Sequence, residues 1–288
     1  MKRRALLQTA VAGSAAVLLR GRAAKAAAAD DGGGDFAGIL DSNVSLFRWP
    51  FRRLPLDETE KLVAKLRALG VTKALAGSFE GAFHRDLMTA NNRLAAECAR
   101  FPELTPIGTV NPAQPGWERD FDRCVGEHRM AGVRIFPSQQ GYALDSTLLG
   151  RLLARAAEAG VLVQLAVTLE DPRTQPALVA RPEADLGPLP DAMAKAPGAR
   201  VQLLNPRPSG SQLAALGKTP GLYFDTARAD GTDGVASLLA ATGPDRVLFG
   251  SHAPFLIPEA ALIRVHESAL DPGPLRAVLR DNAERLLA

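Results

Sequence analysis

From residue 36 onward, short β-rich runs alternate with longer amphipathic ones eight times, and few architectures accept that pattern. The β-rich runs fall at residues 38–43, 72–78, 104–110, 132–136, 161–167, 200–204, 221–226 and 246–250. Helical patterns follow them at 57–69, 85–100, 117–128, 146–159, 189–196, 209–216, 234–241 and 258–268, and a last one covers 274–287. Runs such as Val161-Leu162-Val163-Gln164-Leu165 are mostly apolar, as a parallel strand buried on both faces requires. Gly70, Gly132 and Gly160 stand just before strands, where a helix is expected to end on a left-handed residue. Eight strand–helix units in about 250 residues predict an α/β fold, a single-domain (β/α)8 or TIM barrel. A doubly wound open sheet competes, but it usually carries a glycine-rich phosphate loop after an early strand. The first strand here runs into Ser42-Asn43-Val44-Ser45 instead.

The net charge of +3 is a local effect. Lys2, Arg3, Arg4, Arg20, Arg22 and Lys25 lie within residues 1–26 without a single acid, so the remainder is net acidic. A nucleic-acid or anionic-membrane partner is therefore not expected. The basic start, an apolar run over 5–19 and Ala24-Lys25-Ala26 form the three parts of an export signal. Arg3-Arg4-Ala5-Leu6-Leu7 fits the twin-arginine type, and residues 1–26 are read as such a signal peptide. An ordinary secretory signal or an uncleaved anchor is the alternative. The apolar run is short and alanine-rich, so no stable membrane insertion is expected after export to the periplasm. Asp30-Asp31-Gly32-Gly33-Gly34-Asp35 makes 27–35 a flexible linker, and 36–288 is the barrel. Cys98 and Cys124 fall in helical patterns and read as two buried thiols, with a single bridge as the alternative.

Barrels of this kind place their chemistry at the C-terminal ends of the strands. Those ends carry Asp41, Asn43 and Ser45, then Glu80, Asn111, Arg134, Gln164, Asn205, Asp225, and Ser251 with His252. Strand alternation puts Asp41, Asn43 and Ser45 on one face. Asp41 could equally cap its own loop, and Asp225 could bond neighbouring amides. Arg134, inside an apolar strand, must be paired or face the barrel mouth.

Five segments carry a family resemblance: Ile39-Leu40-Asp41-Ser42-Asn43, Pro106-Ile107-Gly108-Thr109-Val110-Asn111-Pro112, Gly132-Val133-Arg134-Ile135-Phe136-Pro137, Arg246-Val247-Leu248-Phe249-Gly250-Ser251-His252-Ala253-Pro254-Phe255 and Asn282-Ala283-Glu284-Arg285-Leu286-Leu287. In this order they resemble the amidohydrolase-related family of TIM-barrel hydrolases and decarboxylases, over residues 36–288. The resemblance implies a metal held by His-x-His on the first strand, a histidine on each of the fifth and sixth, and an aspartate after Gly-Ser on the last. Those places hold Asn43 and Ser45, Gln164 or Ala166, Asn205, and His252. Neutral amide and hydroxyl oxygens are weak ligands for zinc, so no metal and no cofactor are expected. His84 follows the second strand, while His128 and His266 fall in helices.

Some members of that family open lactones without metal. The resemblance thus implies a hydrolase for a small-molecule substrate, an anionic carboxylate, ester or lactone. His252 would be its general acid or base, with Asp41 or Asp225 orienting it or sharing the proton. Arg134, helped by Arg173 or Arg207, would hold a carboxylate or oxyanion. Asn43, Asn111, Gln164 and Asn205 would add neutral hydrogen bonds, and Glu80 stands at the end of the second strand. A non-catalytic periplasmic binding barrel and a decarboxylase-type lyase are the alternatives. The charged segment 168–175 reads as a lid or a ligand contact, whether the barrel is an enzyme or a binder, and nothing in the sequence specifies an oligomeric state.

Overall fold

The computed structural model describes residues 38–171 and 173–288; the expected signal peptide and linker lie outside the described residues. Among the described residues there are nine strands: β1 (Ile39–Leu46), β2 (Val71–Ser78), β3 (Leu104–Pro106), β4 (Gly108–Thr109), β5 (Gly132–Ile135), β6 (Leu162–Ala166), β7 (Arg200–Leu204), β8 (Leu222–Asp225) and β9 (Val247–Leu248). All pair in parallel, in the order β1-β2-β3 and β4 through β9. β3 and β4 are two halves of one barrel strand, since Ile107 between them donates its N–H to the Ala76 carbonyl at 2.8 Å. Pro106 has no N–H to give, which interrupts the ladder there. The circle closes where Ser42 N donates to Phe249 O at 2.8 Å and Ser45 N to Ala253 O at 2.9 Å. The result is the expected closed (β/α)8 barrel.

The helices pack apolar stripes against the outside of the strands. In Thr147–Ala159, Leu149, Leu152, Leu153 and Ala156 are buried at the spacing of one helical face. Ser146 Oγ caps its start, and Gly160, at φ 64°, ends it. Gly132 departs from the expected cap position. It sits inside β5, and a Cβ there would meet the Leu162 carbonyl oxygen at 2.1 Å, so the glycine serves close strand approach. The preceding helix, Trp117–Asp122, runs into the π-helical turn Arg123–Glu127, and Arg129 at φ 49° follows it.

Inside the barrel, Leu40, Leu75, Ile107, Leu162 and Leu248 form an apolar floor. Ala283 and Leu286 of the last helix, Asn282–Leu287, seal it from below. Asn282 ties that helix to the barrel by donating to Pro244 O at 2.7 Å and Val247 O at 2.8 Å. The C-terminal motif is thus a plug for the floor. Cys98 and Cys124 are buried free thiols, and burial pushes both up to about 12. No helix among the described residues is long and apolar enough to cross a membrane.

β4 spans only two residues, and a side chain completes its pairing. Asn91, buried in helix Leu87–Cys98, donates to Thr109 O at 2.8 Å and accepts from Thr109 N at 2.7 Å. Asn91→Ala would strand both backbone groups in the interior. It should lower stability by roughly 2–4 kcal/mol, read as a drop in the urea midpoint at unchanged m-value.

Candidate functional site

A polar layer lies above the apolar floor, built from residues at the same level of adjacent strands. Register aligns Arg134 of β5 with Gln164 of β6 and Gln202 of β7. Arg134 is only 2% exposed. Its Nε and one terminal nitrogen donate to Gln164 Oε1 at 3.0 and 2.8 Å; the other donates to Ser45 Oγ at 3.0 Å and Val44 O at 3.3 Å. Every one of these acceptors is neutral. Among the described residues no carboxylate forms a salt bridge with it. Burial pulls the guanidinium down to about 10, against the opposing pull of Asp225 and Asp41. Gly77 makes the space, because a Cβ there would lie 2.6 Å from the guanidinium carbon.

Gln164 continues the layer, donating to Ser42 O and Gln202 Oε1, both at 2.8 Å. Gln202 donates to Ser42 Oγ at 2.7 Å, and Ser42 Oγ donates to Phe249 O at 2.7 Å. Ser42 and Gln202 were not among the expected site residues. The signal for Gln202 was present, since an amide inside an apolar strand occurs in both Val163-Gln164-Leu165 and Val201-Gln202-Leu203. Ser42 was hidden by the assumption of strict alternation, which a register shift between Asp41 and Val44 breaks.

The two acids occupy the next part of the layer. Asp225, at the end of β8, accepts from Asn43 Nδ2 at 2.6 Å and from Asn205 N at 3.1 Å. Asn43 also donates to Asn205 Oδ1 at 2.9 Å, and Asn205 donates to Thr168 O at 2.9 Å. Asn205 adopts φ 59°, a conformation asparagine tolerates. Asp41 Oδ1 accepts the amides of Asn43 and Ser251, each at 3.0 Å, and so joins the first and last strands of the barrel. Its Oδ2 has no partner among the described residues. Desolvation dominates both carboxyls and raises Asp225 to about 7 and Asp41 to about 6. Gly250 lets the pair of strands close over them, since a Cβ would meet Asp225 Cβ at 2.9 Å and Asn43 Cβ at 3.1 Å.

His252 differs from its expected role as a titrating acid or base. Its Nε2–H donates to Leu169 O at 2.8 Å, leaving Nδ1 as an acceptor with no partner among the described residues. Burial holds the ring down to about 3, so it is neutral at physiological pH. It is hydrogen-bonded to neither Asp41 nor Asp225. The groups that titrate near neutrality are the two carboxyls. His252 also adopts φ 54°, a conformation in which local strain is held by the surrounding structure.

Three expected residues stand apart from this layer. Glu80 lies on the turn Phe79–Ala82 and pairs with Arg93. Asn111 accepts from Ala113 N at 3.0 Å, capping its own loop. Arg173 is 88% exposed and pairs with Asp171. Of the lid segment, Thr168, Leu169 and Glu170 are buried, and Glu170 pairs with Arg52.

Aromatic side chains roof the mouth. Trp49 packs against Phe51, Phe79, Phe83 and Phe255 with ring centroids 4.8–5.5 Å apart, and Phe255 lies 5.1 Å from His252. Leu54, Phe136, Ala166 and Leu169 complete the cluster. The rings come from three separate segments, Trp49 and Phe51 after β1, Phe79 and Phe83 after β2, and Phe255 after β9, which is why no single motif announced the roof.

The donor set does not fit a transition metal. The place of a ligand histidine holds Asn43, whose amide N–H groups point at Asp225 and Asn205. Among the described residues no group of three or more histidine, cysteine or acidic side chains is gathered.

The sequence matches a family model described as amidohydrolase over residues 50–288. The fold is similar to 2,6-dihydroxybenzoate decarboxylase from Rhizobium, at 15% identity and a TM-score of 0.67, covering 87% of this chain and 98% of that one. It is similar to 5-carboxyvanillate decarboxylase from Sphingomonas paucimobilis, at 13% identity and 0.68, covering 87% and 99%. An uncharacterized TIM-barrel protein from Bordetella bronchiseptica gives 16% and 0.67, covering 86% and 98%. No curated protein matches the sequence.

The raised carboxyls set a pH signature. Both hold a proton to higher pH in the folded chain than the ordinary value of 3.8, so the folded state binds more protons between about pH 4 and 7. Stability from this pair is therefore present below that window and lost as pH rises through it. The slope is at most about 1.4 kcal/mol per pH unit for each group. Asp225→Asn should flatten the decline, measured by urea unfolding at pH 4.5, 6 and 7.5.

Proposed function

The chain belongs to the amidohydrolase family, and on that premise we propose that it is an exported, metal-independent hydrolase for a small anionic ester or lactone. The observation that carries the reading is Arg134, a buried cation without a salt-bridge partner among the described residues, in one layer with two carboxyls that hold protons near neutrality. A buried guanidinium that meets only neutral acceptors is a strong site for a carboxylate or a developing oxyanion.

Asp225 is the acid–base group. In its ionised form it takes a proton from water as the water oxygen bonds to the substrate carbonyl carbon. When the carbon–oxygen bond to the leaving alcohol breaks, Asp225 returns that proton to the departing oxygen. Asn43 and Asn205 hold its carboxylate in place, and Arg134 balances the charge that builds on the carbonyl oxygen. His252 Nδ1 accepts from a substrate hydroxyl. Substrate enters when the rings around Trp49 part, and their return excludes water.

The decarboxylase reading keeps one support. The similar solved structures named for decarboxylases act, by those names, on aromatic carboxylates, and the ring-lined roof over Arg134 suits such a group equally well. Assays on carboxylate-bearing esters and lactones beside hydroxybenzoates separate the two, since hydrolysis forms a new carboxylic acid and decarboxylation releases carbon dioxide.

With a turned-over ester or lactone in hand, Asp225→Asn should lower kcat about 100-fold or more, and Arg134→Lys should raise KM above all. Chelation should leave turnover intact. Full activity in Asp225→Asn, or stoichiometric zinc in the active protein, would overturn the proposal.

A further inference from the structure

At the rim of the barrel mouth, beside the buried layer, the loops that continue β7 and β8 enclose a cleft of about 320 Å³. That volume is at the lower end for small-ligand sites. Two arginines, Arg207 and Arg228, line it together with Thr232, Ser237 and the start of helix Gly234–Thr242. Gly234 sets the geometry, because a Cβ there would lie 2.3 Å from the Ala229 carbonyl oxygen. Only a bare backbone lets the helix start press against the loop that carries Arg228.

Arg228 is the unusual group. Its side chain is 9% exposed, yet its guanidinium makes no hydrogen bond among the described residues. Among the described residues its one ion contact is Asp171 at 3.6 Å, and that carboxylate is already gripped by Arg173 at 2.8 and 2.9 Å. Arg207 is half-exposed and has one bond, to Glu183 at 3.0 Å. The one acid that lines the cleft, Asp230, pairs with Arg264 at 3.3 Å. Burial, and then the nearness of Arg207, push the Arg228 guanidinium below its ordinary value. Two like charges therefore share a cleft with donors unused, and an anion between them would relieve both defects. The helix start adds partial positive charge, and the two hydroxyls add donors.

We infer that this cleft binds a phosphoryl dianion, carried either by inorganic phosphate or by a small phosphate monoester. Its volume exceeds that of phosphate alone and leaves room for a short organic group against Leu213 and Leu238. The inference is independent of the reaction proposed above, because none of its residues belongs to the buried layer.

Isothermal titration of the full chain with inorganic phosphate, phenyl phosphate and phenyl sulfate tests it. Phosphate should bind saturably, and phenyl phosphate more tightly if the monoester is the natural form. The singly charged sulfate ester should bind about 10-fold or more weakly. Arg228→Gln should weaken phosphate about 10-fold or more. Because Arg228 is buried, Ser237→Asp gives a second arm at an exposed position, where an added carboxylate occupies the arginines and should abolish binding without loss of thermal stability. Absence of saturable phosphate binding, or unchanged affinity in Ser237→Asp, would overturn the inference.

Discussion

The guanidinium of Arg134 is the constraint around which the barrel interior is arranged. A cation removed from water inside a ring of parallel strands is strongly destabilising unless its donors are met and some negative charge is near. The donors are met by Gln164, Ser45 and the Val44 carbonyl. The charge comes from Asp41 and Asp225 at longer range. Each solution creates the next requirement. Gln164 in accepting from Arg134 turns its amide toward Ser42 and Gln202, and Gln202 in turn needs the Ser42 hydroxyl. Gly77 must lack a side chain for the guanidinium to fit at all. The layer is thus one connected unit, and a change at any member is felt at the others.

Strand positions were legible because strands buried on both faces are continuous apolar runs, and the closed barrel followed from their number. Boundaries slipped where a local rule was broken. β1 extends through Leu46 and carries an irregular register, so strict alternation misplaced Ser42. Gly132 read as a helix cap, but the interstrand approach to Leu162 explains it better. The polar end of the layer was legible in part. Asp41, Asn43, Arg134, Gln164, Asn205 and Asp225 are brought together, whereas Glu80, Asn111 and Arg173 satisfy local partners. Such local satisfaction depends on loop shape, which strand-end position does not encode.

The chemistry of His252 was the least legible feature, because an imidazole's proton affinity is set by what covers it. Nothing near residue 252 in the sequence indicates that Leu169 would accept from its Nε2 or that Phe255 and Trp49 would shut out water. The same covering that silences His252 acts in the opposite sense on the acids. Desolvation favours the neutral form of each, lowering the imidazole and raising the carboxyls. The roof therefore moves proton chemistry from the histidine to the aspartates.

This also gives physical sense to the departures from the family's ligand pattern. Histidines at the places of Asn43 and Asn205 would present ring nitrogens suited to a metal, and the metal would balance a carboxylate beside them. Asparagines there reverse the polarity. The side-chain N–H of Asn43 and the backbone N–H of Asn205 face Asp225, so these neutral donors take over the task of holding a buried carboxylate. These donors lower the acid, but burial outweighs them and Asp41 adds to it, so Asp225 is raised to about 7. A neutral imidazole at position 252 adds no further negative charge to the two carboxyls that Arg134 already offsets. The residues at these places are therefore mutually consistent: neutral donors hold the buried carboxylate of Asp225, and the carboxyls rather than the imidazole keep a proton toward neutral pH.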